Sequence, residues 1–152
     1  STELTFYENN EMQYEHSFNI GTIRLLNGLV TPTIWDEMKD EIKDKIKSKK
    51  TIVAIGSGGN INKIFSMSKT KDGKPMPVAV IKKYLKEMEK LSVVERMHEY
   101  QIREDRADVI VPALTIFNNV MTWADIKHIY VPKISVADGL VHSIYAKVTG
   151  QK

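Results

Sequence analysis

Three short stretches of this chain hold residue types that could do chemistry. The first is Gly56-Ser57-Gly58-Gly59, which follows the apolar, β-branched run 51–55 and precedes a helical pattern from Asn60. A strand that enters a glycine turn and then a helix brings backbone N–H groups close to a ligand, often a phosphate. The turn is not a Walker A loop, because Gly-Lys-Ser/Thr is lacking. Nor does it have the glycine spacing of the dinucleotide fingerprint. Ligand contact and a purely structural tight turn both stay open.

The second stretch is Ser1-Thr2-Glu3. Two hydroxyls can hold phosphate or orient a water, and a carboxylate can hold a divalent metal; the plain alternative is a frayed terminus. The third is Asp138-Gly139, between the last strand and the last helix, where an acid could close over a ligand or simply cap the helix. Arg106, flanked by Asp105 and Asp108, could bind phosphate bidentately or pair with a neighbouring acid. The four histidines, His16, His98, His128 and His142, show no metal-ligand spacing.

These groups need a scaffold, and composition bounds it. A chain of 152 residues suits one domain, and 42% apolar with 27% charged residues is ordinary for a water-facing fold. The absence of cysteine excludes disulfides and thiolate chemistry. Lys and Arg number 22 against 19 Asp and Glu, interspersed along the helices, so nucleic acid is not an expected partner. No run is long enough for a membrane span and the start has no signal pattern, so a cytoplasmic protein is expected.

Leu4, Phe6 and Glu8 alternate with Thr5 and Tyr7, then come Asn9-Asn10-Glu11 and a second extended run to Ile20. Asparagine tolerates positive φ, so residues 4–20 read as a β-hairpin. A core strand beginning at Ser1 suggests that a segment precedes it. Residues 22–26 read as a helical turn stopped by Asn27-Gly28. Thr33, or Thr31 with Pro32, then caps a helix running to about Lys49, with Trp35, Met38, Ile42 and Ile46 as its apolar stripe. After the central strand 51–55 and its turn, a helix with Ile61, Ile64 and Phe65 stops near Ser68.

Pro77 is expected to open the next helix, whose stripe is Val80 or Ile81, Tyr84, Met88 and Leu91; Ser92 with Glu95 starts another as a capping box. Residues 106–123 read as one long helix loosened at Pro112. A strand over 126–131 leads to a final helix, capped by Ser135 or Asp138, with Leu140, Val141, Ile144 and Tyr145 facing inward and 147–152 as a frayed tail. The order implies an α/β fold, three-layered, with a mixed sheet and an N-terminal β-hairpin.

The same residues carry a resemblance. Ser1-Thr2-Glu3-Leu4, SFNIGTIRL (17–25), AIGSGGNINKI (54–64), ERM (95–97), RADVIVPALTIF (106–117) and ISVADGLV (134–141) together make the chain similar to the exopolyphosphatase / guanosine pentaphosphate phosphohydrolase family. That family is a branch of the actin, sugar-kinase and heat-shock ATPase superfamily, with two ribonuclease-H-like domains and the site in the cleft between them. The resemblance implies that residues 1–152 are the second, C-terminal domain only. The family's second phosphate loop runs Asp-x-Gly-Gly-Gly-Ser-Thr-Glu, and this chain starts at its Ser.

By position, Ser1 and Thr2 then correspond to phosphate-binding hydroxyls. Glu3 corresponds to the acid that positions metal or water, with the general base expected in the N-terminal half. Gly56, Ser57, Gly58 and Gly59 would form the wall of the substrate cleft; the pattern here is Gly-Ser-Gly-Gly where relatives often have Gly-x-Ser-Gly-Thr, so a side-chain hydroxyl contact at the last position is not implied. Arg106 and Asp138 fall on signature positions read as architectural. The resemblance implies Mg²⁺-assisted release of terminal phosphate from inorganic polyphosphate or guanosine pentaphosphate by the intact parent, and an almost inactive fragment. Its implied partners are that substrate, the N-terminal domain and a second copy in a homodimer. The alternative is a non-catalytic actin-like module that binds nucleotide or protein.

Overall fold

Apolar spacing decides which helix sits at the centre. The sequence IVPALTIFNNVMTW is apolar on nearly every side, and a helix of that kind is stable only when surrounded. In the computed structural model, which describes residues 1–48, 50–132 and 136–150, this segment is helix α7 (Ile110–Trp123). It packs against α1 (Thr22–Leu26), α2 (Pro32–Lys45), α3 (Gly59–Met67) and α4 (Val78–Met88). Ile110 and Leu114 are fully enclosed, together with Met38, Ile42, Ile64 and Ile81 from those neighbours.

The long helix expected over 106–123 is two helices. Helix α6 (Glu104–Ala107) ends before α7 begins. Pro112 therefore lies in the first turn of α7, where its lack of an N–H costs nothing, instead of in a helix interior where it would force a kink. Helix α2 is capped by Thr31, whose Oγ1 accepts the N–H of Ile34 at 3.4 Å, and Pro32 takes the first helical position. It stops at Lys45, short of the expected Lys49, which lies outside the described residues. Lys45 and Lys47 pair with Asp44, and Lys50 donates to Asn9.

The strands form two sheets. β1 (Thr2–Glu8) and β2 (Glu11–Phe18) make the expected hairpin, closed by Asn9 and Asn10 at φ 53° and 65°. Two successive positive φ values give the primed turn whose twist matches the strands. The second sheet has the order β3–β5–β4: β3 (Ala54–Ile55) runs parallel to β5 (His128–Tyr130), and β4 (Met76–Pro77) antiparallel to it. This sheet is mixed, as expected. Its strands are shorter than the runs 51–55 and 126–131, and β4 occupies the place where Pro77 was expected to open a helix. Pro77 is instead the residue before α4, and Met76 gains a ladder position on β5. On one face Ala54, Met76 and Ile129 are buried; on the other Ile55 and Tyr130 are exposed.

Helix α5 (Val93–Tyr100) begins with the expected capping box. Ser92 Oγ accepts from Glu95 N, and a Glu95 carboxylate oxygen accepts the Ser92 N–H at 2.7 Å. Helix α8 (Val136–Thr149) corrects a second expectation. Leu140, Val141, Ile144 and Tyr145 are exposed, not inward-facing. Asp138 lies in its first turn, where a carboxylate suits the helix dipole, while Ser135 lies outside the described residues.

Candidate functional site

The N-terminal tripeptide and the glycine turn, more than fifty residues apart in sequence, meet at one cavity of about 790 Å³. Ser1, Thr2, Glu3, Gly56, Ser57, Gly58 and Gly59 all line it. The hairpin brings the first set, because β1 opens at the rim. The β3-to-α3 turn brings the second, because β3 is held parallel to β5 by the ladder and by Gly56 N–H donating to Tyr130 O at 2.8 Å.

Each rim residue is tied locally. Ser1 Oγ donates to Glu3 Oε1 at 2.8 Å, so hydroxyl and carboxylate already form a pair. Thr2 Oγ1 donates to Ile20 O at 2.7 Å, which spends its proton and leaves its lone pairs as acceptors. Glu3 is exposed at the mouth. A magnesium ion is commonly held by one or two carboxylates with substrate phosphates and water completing its shell. Glu3 can serve as one such carboxylate. Among the described residues no three His, Asp or Glu side chains gather into a metal cluster.

The glycines divide the labour of the turn. A Cβ on Gly56 would start 3.2 Å from Phe117 and closer still to Ile129, so this glycine lets β3 pack onto the core. Gly58, at φ +118°, holds a backbone conformation that L side chains rarely adopt. Gly59 is covered by the guanidinium of Arg106, whose Nη1 also donates to Asn60 Oδ1 at 3.0 Å.

The sequence left Arg106 either to bind phosphate or to pair with a neighbouring acid such as Asp105 or Asp108. Arg106 has no carboxylate partner among the described residues, and Asp105 pairs with Arg103. The structure therefore sets a cation beside the first turn of α3, whose initial N–H groups have no intrahelical acceptor and whose cap residue, Gly58, supplies no side chain. A positive guanidinium beside the positive end of a helix is a poor arrangement by itself and a good one around an anion. Arg24, on α1, adds a second cation to the lining.

Sequence reasoning had not singled out Arg24 or Asn60. Their signal was present, since each sits within three residues of a glycine that shapes the rim, at Gly21 and Gly59. Among the described residues, Asp138, His16, His98 and His128 are not in the lining of the cavity. His16 instead pairs with Glu41 at 2.6 Å and stacks on Phe18.

The fold and this rim define the class first: an α/β domain with a mixed sheet whose strand-to-helix turn, helix terminus and paired hydroxyl and carboxylate face one cleft. The profile of the Ppx/GppA phosphatase family matches residues 1–148, and the chain belongs to that family. Its fold is that of the family and of the actin-like ATPase superfamily.

Among solved structures it is similar to the Aquifex aeolicus member of the Ppx/GppA family, with a TM-score of 0.75 and 21% identity, covering 95% of this chain and 53% of that one. An exopolyphosphatase from Cytophaga hutchinsonii gives a TM-score of 0.68 and 20% identity, covering 99% and 54%. At these identities the likeness is one of fold. The chain spans about half the length of the structures it matches. No curated protein matches it.

Proposed function

We propose that the chain is the C-terminal half of a two-domain phosphohydrolase, and that the intact molecule releases terminal phosphate from inorganic polyphosphate or guanosine pentaphosphate. The observation that carries this reading is the meeting of Ser1-Thr2-Glu3 with the 56–59 turn on one rim, in a chain matched by the family over residues 1–148.

In this reading the Ser1 hydroxyl turns from Glu3 to donate to the phosphoryl end of the substrate, and the Thr2 hydroxyl, whose proton is held by Ile20 O, accepts from a water bound beside it. Glu3 holds water or one position of a magnesium ion, which when bound supplies neutralisation of phosphoryl charge. The turn, the open N–H groups of α3 and the Arg106 guanidinium hold a more distal phosphate. Phosphoryl transfer is driven chiefly by positioning and charge stabilisation. One rim therefore gives only part of the site, and a misplacement of about 1 Å already costs roughly 10²-fold in rate. This chain alone should turn over very little.

The test is phosphate release by the full-length polypeptide from polyphosphate and from guanosine pentaphosphate, with and without Mg²⁺. Release from either, lost in Glu3→Gln and Ser1→Ala, supports the assignment. A full-length polypeptide that binds these substrates without releasing phosphate would make it a non-catalytic relative.

A further inference from the structure

The chain carries eighteen lysines and only four arginines, Arg24, Arg96, Arg103 and Arg106. Exposed positive charge is met almost everywhere by lysine, and three of the arginines have fixed acceptors for their planar fork. Arg96 holds the carbonyls of Met88 and Ala107. Arg103 pairs with Asp105 at 2.8 Å, and Arg106 donates to Asn60 Oδ1 at 3.0 Å. Arg24 has neither a carboxylate nor a hydrogen-bond acceptor among the described residues. Among those residues it is also the only cation in the lining of the cavity, whose one acid is Glu3.

Two contacts fix where α1 presents this side chain. Thr2 Oγ1 donates to Ile20 O at 2.7 Å, just before the helix. Gly21, the cap residue of α1, packs so closely on Ser1 that a Cβ there would lie 2.9 Å from the Ser1 backbone nitrogen. The base of α1 is thereby tied to Ser1 and Thr2, and Arg24 follows Gly21 by about one helical turn. Ile23 and Leu29, exposed from the same segment, add apolar surface to the lining. Apolar neighbours weaken hydration and strengthen charge-assisted hydrogen bonds. A cation in the last turn of α1 also suits the helix dipole. Lysine would meet that need equally well, and a helix of 5 residues offers little of it.

We propose that Arg24 binds the terminal phosphoryl group of the substrate beside Ser1 and Glu3, its fork taking two phosphoryl oxygens while the Ser1 hydroxyl takes the third. This rests on the phosphohydrolase reading and adds to it the residue that recognises the end of the substrate. A terminal phosphoryl offers three acceptor oxygens, one more than an internal phosphate, so the pair favours a chain end over its middle. Arginine suits this task because a guanidinium matches phosphate bidentately, whereas an ammonium acts as a point charge. Glu3 is left to water or metal. The two unpaired arginines then divide the substrate: Arg24 meets the phosphoryl that is released, and Arg106 a more distal phosphate.

The test uses the full-length polypeptide, with inorganic tripolyphosphate as the binding probe and polyphosphate and guanosine pentaphosphate as substrates. Without Mg²⁺, Arg24→Ala should weaken tripolyphosphate binding by about 10- to 100-fold, the worth of a charge-assisted pair. Arg24→Lys should recover only part of this, and millimolar guanidinium should restore binding to Arg24→Ala but not to Arg24→Lys. With Mg²⁺, KM should rise for both substrates. The urea midpoint of Arg24→Ala should not move, because the side chain has no protein partner to lose. Lys82→Ala, at an exposed lysine of α4, controls for general charge. Unchanged tripolyphosphate binding in Arg24→Ala would overturn the proposal. So would an equal loss in Lys82→Ala, full recovery by lysine, or a KM change confined to guanosine pentaphosphate, which would make Arg24 a contact of the nucleoside. The enzymatic reading fails separately. A polypeptide that binds tripolyphosphate through Arg24 and releases no phosphate defeats the enzyme alone, and phosphate release undiminished in Arg24→Ala at every substrate concentration defeats Arg24 alone.

Discussion

Arg106 occupies the space in which a side chain on Gly59 would have to begin. A Cβ there would lie 2.8 Å from Nη2 and closer still to Nη1. The contact joins α6 to the first turn of α3 across 46 positions of sequence, and it makes the glycine and the arginine a single feature.

Gly59→Ala should therefore push the guanidinium off Asn60 at a cost of only about 0.5–1.5 kcal/mol, the worth of the hydrogen bond displaced, because the far end of a flexible side chain can move aside. The double variant Gly59→Ala, Arg106→Ala should be no less stable than Arg106→Ala alone, a coupling that a double-mutant cycle reads directly. Urea unfolding followed by tryptophan fluorescence is suited to this. The only two tryptophans, Trp35 on α2 and Trp123 on α7, lie edge-to-face with centroids 5.8 Å apart. Additive costs would show that the two residues act separately.

Arg96 ties three helices. Its Nε donates to Met88 O at 2.8 Å, at the end of α4, and its Nη1 to Ala107 O at 3.0 Å, at the end of α6. Carbonyls at helix ends lack intrahelical donors, so a cation there is doubly favourable. Arg96→Ala should lower stability by about 2–3 kcal/mol, and Arg96→Lys should recover only part, because an ammonium cannot reach two divergent carbonyls as a planar fork does. Full recovery by lysine in urea unfolding would reduce Arg96 to a simple charge.

The hairpin turn offers a gain. Asn10, at φ 65°, sits where glycine carries no steric cost. Asn10→Gly should raise the thermal midpoint, by a stability increment of about 0.5 kcal/mol, while Asn10→Val should cost about 1–2 kcal/mol. A loss on going to glycine would mean that the asparagine side chain does more than tolerate the turn.

Acid sensitivity should have an identifiable source in Glu41. It accepts from Tyr14 Oη at 2.6 Å and meets His16 Nδ1 at 2.6 Å, linking β2 to α2. The Tyr14 hydrogen bond, followed by His16 and Lys45, holds its carboxyl below the usual value of 4.5. A depressed folded value means that the contribution is present above pH 4.5 and is lost as pH falls through the folded value. Tyr14 behaves oppositely. Burial, then Glu41, raises its hydroxyl above the usual 10.0, so its share is lost as pH climbs past 10. Because the pair is partly exposed, each contribution should stay under about 1 kcal/mol. Glu41→Gln should flatten the decline of the urea midpoint between about pH 5 and 3; an unchanged slope would place the acid sensitivity elsewhere.

Local signals were legible wherever one short segment decides its own conformation. Asn9-Asn10 marked the turn, Ser92 with Glu95 the start of α5, Thr31-Pro32 the start of α2, and the stripe of Met38 and Ile42 its buried side. Where a neighbour decides, the sequence was ambiguous. Pro77 suits a helix start as well as an edge position, and only the ladder to β5 made β4. Leu140, Val141, Ile144 and Tyr145 have the spacing of a buried stripe, yet spacing cannot say what lies opposite.

By itself the sequence determined an α/β domain, a β-hairpin at its start, a strand–glycine turn–helix at 51–64 and, through its ordered motifs, membership of one family. The tertiary structure decided that Ser1-Thr2-Glu3 and the glycine turn share a rim, that Arg106 faces Gly59 in place of an acid, and that Arg24 lines the same cavity. The reason is physical. Local propensity and periodicity act over a few residues, whereas the placement of a charge or a strand edge is fixed by packing between segments that only the folded core brings together.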